Sequence, residues 1–63
     1  MAHSLLQFFQ YSHLREDLRA TSELFADLAE KIDFSLPDNS EKTTALRKLL
    51  EAKDCAIRAK LYQ

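Results

Sequence analysis

The chain contains no glycine and a single proline, Pro37, and this lack of breakers restricts its fold more than any motif it carries. Only Gly enters left-handed backbone without a steric penalty, so a Walker A loop, a dinucleotide-binding turn and a nucleophile elbow are all excluded. Long uninterrupted helices on either side of Pro37 are favoured instead. Three segments follow: an apolar arm over residues 1–12, a helix over 14–34 and a helix over 39–62. The arm carries Leu5, Leu6, Phe8, Phe9 and Tyr11. It is long enough for a turn or two of helix, which at that length needs packing to persist.

The first helix repeats apolar residues about every 3.5 positions, at Leu14, Leu18, Thr21, Phe25, Leu28 and Ile32, with Leu24 and Ala29 widening the stripe. Ser12 or His13 precedes it. Glu16 and Asp17 fall in its first turn, beside the positive end of the helix dipole. Pro37 then pushes Leu36 out of helical geometry. Asp38 is the expected cap of the second helix, with Glu41 completing a capping box, and Asn39 is the competing cap. A break this short folds two helices back antiparallel. The expected fold is all-α, an antiparallel helical hairpin with an N-terminal aromatic arm.

The second helix is apolar on two stripes. One is Ala45, Leu49, Ala52, Ala56 and Ala59; the other, rotated by roughly 100°, is Leu46, Leu50, Ile57 and Leu61. A hairpin partner needs one such stripe, so the second asks for another neighbour, and this predicts a homo-oligomer. Length points the same way. A chain of 63 residues folding alone buries only about 60% of its unfolded surface and needs a disulfide, a metal or assembly. Cys55 is the only cysteine, and His3 and His13 lack ligand spacing, which leaves assembly.

The formal net charge of −1 gives no footprint for long DNA or RNA. No apolar run approaches the roughly 20 residues of a membrane span, and the Ser4–Phe9 stretch lacks the basic start of a signal peptide. The expectation is therefore a cytoplasmic protein without nucleic-acid or membrane partners. It is also expected to be no enzyme and to need no cofactor or metal. The serines have no evident base, and Cys55 follows Asp54, which disfavours a thiolate.

Four places could carry binding chemistry. Tyr11 ends the apolar arm, and a tyrosine there either packs or stacks on a nucleobase for about 1–3 kcal/mol. Arg58 lies one turn after Asp54, where the plain reading is a surface ion pair. Lys53 and Lys60 fall between the two apolar stripes. There they either snorkel along the groove or converge with symmetry-related copies into an anion pocket.

Three stretches then carry a resemblance: Phe8-Phe9-Gln10-Tyr11-Ser12-His13-Leu14, Leu36-Pro37-Asp38-Asn39, and the run from Thr44 to Ala59 containing Ala-Lys-Asp-Cys-Ala-Ile-Arg-Ala. Together they resemble the anti-CBASS cyclic-nucleotide sponges, small phage and prophage helical hairpins whose domain is shared with a Thoeris-inhibiting sponge. The resemblance implies a compact hexamer in the cytoplasm of an infected bacterial host. It implies sequestration, without cleavage, of cyclic di- and trinucleotides made by bacterial immune enzymes. Tyr11 matches the family's stacking tyrosine of the arm, and Arg58 matches the last-helix arginine of its trinucleotide site. The basic residue between them falls on Ala26, with Glu23 one turn earlier, so the chain departs from the dinucleotide pattern there; Arg19 or Lys31 takes that role only in a different helix register. The rival expectation is an oligomeric protein-interaction module with no nucleotide ligand. A small regulator acting near nucleic acid is the third, and the balanced charge speaks against it.

Overall fold

In the computed structural model, which describes residues 4–11 and 14–62, the arm forms a 3-10 helix, Ser4–Phe9. Two α-helices follow: α1, Glu16–Ser35, and α2, Ser40–Leu61. No strand occurs among the described residues. The helices run antiparallel, since Lys60 of the last turn of α2 reaches Asp17 and Thr21 while Lys42 of its first turn reaches Asp33. The all-α hairpin with an aromatic arm is thus the fold.

Helix α1 begins two residues later than the apolar pattern predicts. Leu14 is held in a turn by its N–H on the Tyr11 carbonyl at 3.1 Å, and Arg15 occupies the cap position with extended ψ and no side-chain cap bond. Ser12 and His13, the expected start residues, lie outside the described residues. At the other end Leu36 is extended at φ −114°, ψ 147°, as the following proline requires. Asn39, and not Asp38, caps α2: its side chain accepts the Lys42 N–H at 2.9 Å. The third helical position is then Lys42, so no capping box with Glu41 forms. Asp38 accepts instead from the Lys42 ammonium at 2.8 Å.

The core corrects the expected seam of α1. Leu18, Ser22, Ala26 and Ala29 are buried, Phe25 and Ile32 are half-buried, and Leu24 and Leu28 are exposed. The seam has rotated toward the small residues because Ser22, Ala26 and Ala29 let α2 and the arm approach closely, while a Leu or Phe there would hold them apart. Phe9, Ala26, Ala29 and Leu46 form the central cluster, flanked by Leu5, Leu6, Tyr11, Leu49 and Leu50. Ser22 Oγ is buried without a hydrogen-bond partner.

On α2 the seam runs between the two predicted stripes. Lys42 and Leu46 are buried, and Leu49, Leu50, Lys53, Ile57 and Lys60 are half-buried. The arm packs on both helices through Phe9, which is 2% exposed. The chain therefore does supply a second neighbour of its own for α2, contrary to the expectation that the second stripe needs another copy. On the alanine stripe Ala52 and Ala59 stay exposed, while Ala45 and Ala56 are half-buried.

Candidate functional site

The lysines between the stripes turn out to be internal ties. Lys42 Nζ, 4% exposed, donates to the Asp33 carbonyl at 2.8 Å and the Leu36 carbonyl at 3.3 Å, and pairs with the Asp33 and Asp38 carboxylates at 2.8 Å each. Hydrogen bonds donated to the Asp33 and then the Asp38 carboxylate hold its pKa above the ordinary 10.5, outweighing desolvation. Lys53 Nζ donates to the Phe8 carbonyl at 2.6 Å, lies 3.7 Å from Asp54 Oδ1 and stands 5.8 Å from the centroid of the Phe9 ring. Lys60 Nζ donates to the Asp17 carbonyl at 2.9 Å and to Thr21 Oγ1 at 3.2 Å. Each ammonium joins α2 to another element, and the aliphatic stems lie along the seam. Lys53 and Lys60 thus each commit part of their three N–H donors to the fold, Lys53 to one carbonyl and Lys60 to a carbonyl and a hydroxyl.

Tyr11 is half-buried against the core cluster. A cleft of about 120 Å³ beside it is lined by Leu6, Phe9, Gln10, Tyr11, Ala26 and Glu30. Ala26, where the resemblance expects a basic residue, lines this cleft with Tyr11. It supplies no charge there, and the charged group in the lining is the Glu30 carboxylate, which repels phosphate. The cleft is also below the roughly 300 Å³ at which small-ligand pockets begin. Arg19 is exposed on the same flank of α1, two turns (about 10.5 Å) closer to its start. Lys31 is on the outer side of α1, where it lines a shallow depression with Phe34.

Arg58 is exposed in the last turn of α2, where a cation is favoured by the helix dipole. The ion pair with Asp54 does not form. Asp54 faces Lys53, and Arg58 Nη2 lies 3.4 Å from Cys55 Sγ. Among the described residues no carboxylate comes within ion-pairing distance of Arg58. Arg47, also exposed and on the same face three turns earlier, was not singled out by sequence spacing. The signal that would have found it is the division of charge between helices. Helix α1 carries six acidic and two basic residues, net −4, while α2 carries three acidic and six basic, net +3. The near-neutral total conceals a dipolar hairpin with a basic α2.

Among the described residues no cluster of His, Cys, Asp or Glu could hold a metal ion, and no described helix is long and apolar enough to cross a membrane. No protein-family model, no curated protein and no solved structure matches the chain.

Proposed function

We propose that the protein is a non-enzymatic sponge, an all-α homo-oligomer that binds cyclic trinucleotide second messengers intact and withholds them from CBASS-type defence in an infected bacterial host. The observation that carries this reading is Arg58: an exposed guanidinium on the basic helix, with no carboxylate among the described residues in ion-pairing distance, is available for charge-assisted bonds to phosphate. The resemblance of the Thr44–Ala59 run supplies the ligand class, and symmetry in an assembly supplies several copies of the arginine to one cyclic polyanion. Trinucleotides are favoured over dinucleotides because the Tyr11 cleft presents Ala26 and Glu30 where a cation is needed. Tyr11 and Arg19 remain the stacking and phosphate groups of any dinucleotide site. Lys53 and Lys60 act chiefly as scaffold, holding the arm and the hairpin in place.

The competing reading, a protein-interaction module without a nucleotide ligand, draws on the exposed Leu24 and Phe34 of α1. Calorimetric titration of the wild type and Arg58→Ala with cyclic trinucleotides separates the two. Arg58 is exposed, so the variant keeps its fold and assembly. Loss of charge-assisted bonds worth about 1.5–3 kcal/mol predicts at least a tenfold weaker Kd. Equal affinity in the two proteins would remove Arg58 from the site, and no heat with any cyclic nucleotide would favour the interaction module.

A further inference from the structure

The chain has two tyrosines, and they stand in opposite surroundings. Tyr11 is half-buried against the core cluster. Tyr62 is 77% exposed and lies just past α2, where its N–H still bonds the Arg58 carbonyl at 3.0 Å. That bond keeps Tyr62 in the helical register of Arg58. Residues four apart share a helix face, with about 5–6 Å between their Cβ atoms, so the phenol and the exposed guanidinium leave the helix side by side. Tyr62 is outside the core cluster, and the Arg58 side chain meets only a weak acceptor, Cys55 Sγ at 3.4 Å, among the described residues.

The other exposed aromatic rings are placed differently. Phe34, 94% exposed, is near the end of α1 at the opposite end of the hairpin, beside Asp27 and Glu30, whose carboxylates repel phosphate. Phe8 is exposed but is tied through its carbonyl to Lys53, and Lys53 leaves α2 about 140° around the axis from Arg58. The position of Arg58 also calls for a second contact. It lies at the carbonyl end of α2, where the helix dipole opposes an anion, so a lone guanidinium holds phosphate weakly there. A neutral, flat ring adds affinity that this field does not oppose.

We infer that Tyr62 stacks on a base of the ligand whose phosphate Arg58 binds, so that the last turn of α2 and its cap form a phosphate-and-base clamp. The inference rests on the nucleotide part of the proposed function and adds the group that holds the base. One helical turn separates the two side chains, a span similar to that from the phosphate of a nucleotide across its sugar to the base. Each chain thus carries a clamp for one nucleotide unit. Stacking reads the face of a base and not its edges. The clamp therefore favours purines, which offer the larger face, over pyrimidines, and tolerates exchange of adenine for guanine.

Calorimetric titration of the full chain with cyclic tri-AMP and cyclic tri-UMP tests the inference on the wild type, Tyr62→Phe, Tyr62→Leu, Tyr62→Ser and Arg58→Ala. Tyr62 is exposed, so circular dichroism should show its variants melting with the wild type; if Leu or Ser does not, the other alone decides. Tyr62→Leu keeps apolar bulk but loses the flat ring, and it should bind cyclic tri-AMP at least about fivefold more weakly, as should Tyr62→Ser. Tyr62→Phe keeps the ring and should stay within about twofold of the wild type. The wild type should prefer cyclic tri-AMP to cyclic tri-UMP, and that preference should shrink in Tyr62→Leu, which a tyrosine with a merely structural role would not produce. Equal affinity in Tyr62→Leu and the wild type, while Arg58→Ala binds more weakly, overturns the clamp and leaves the sponge reading in place. Equal losses in Tyr62→Phe and Tyr62→Leu overturn stacking in the same way. A wild type that takes up neither ligand removes the sponge reading itself, and the clamp with it.

Discussion

The docked arm is a claim about energy, and Phe9→Ala measures it. Phe9 is 2% exposed and packs with Ala26, Ala29 and Leu46. Burying a phenyl side chain removes some 150–200 Å² from water, about 4–5 kcal/mol at 25 cal/mol/Å², an upper bound because the unfolded chain already hides part of it. Truncations of this kind cost about 3–5 kcal/mol. Here the lower end applies, since an arm that loses its anchor can lift and leave no cavity behind. Proteins of this length are stable by about 3–9 kcal/mol, so the substitution removes a third of the stability or more. An unfolding entropy of about 2.1 cal/mol/K per residue makes each kcal/mol worth about 7–8 °C, and Tm should fall by roughly 20 °C. The assay is thermal and urea unfolding by circular dichroism, at one fixed protein concentration because assembly also stabilises. Phe9→Leu, which keeps most of the apolar area, should lose about 1 kcal/mol. A cycle with Lys53→Met should show about 0.5–1 kcal/mol of coupling from the ammonium over the ring. Phe9→Ala melting with the wild type would refute the docked arm, and the second stripe of α2 would again lack a neighbour.

Other substitutions test single contacts. Ser22→Ala removes a buried hydroxyl that has no partner and should stabilise by about 1 kcal/mol; a lower Tm would mean that the hydroxyl is satisfied. Asn39→Ala removes the cap on the Lys42 N–H and should cost about 1 kcal/mol, whereas the same change at Asp38 should leave the helix start intact; helical content compared by circular dichroism decides. The pKa of Lys42 is raised in the folded chain, so the unfolded state loses this proton first on alkalinisation. Its contribution is complete below 10.5 and is lost as pH rises through the higher folded value. Urea midpoints should therefore be flat in this respect from neutral pH upward and then decline at the alkaline end, and Lys42→Met should abolish that decline.

Periodicity and breakers carried the fold: with no glycine and one proline, two helices and their break were readable to within two residues at each end. What misled was the weight given to large side chains. Leu24 and Leu28 belong to the apolar period yet are exposed, because Ser22 and Ala26 allow a closer approach than any leucine could. Hydropathy does not register this. The seam lysines were legible as anomalies, being charges between apolar stripes, but each also bonds a backbone carbonyl of a distant element, which no pattern of side chains can reveal. The charge division that makes α2 basic is masked by a net charge of −1, but counting each expected helix alone already reveals it. Cap choice was a contest between neighbours: Asp38 is drawn away by the Lys42 ammonium, leaving Asn39 to cap.

The central claim, an assembly that holds cyclic trinucleotides through Arg58, is tested most directly by native mass spectrometry of the protein alone and with a mixed panel of cyclic di- and trinucleotides. The account predicts an oligomer that carries intact trinucleotide masses, with those masses lost in Arg58→Ala while the oligomer persists. A bare monomer, or an oligomer that takes up no nucleotide, would contradict it.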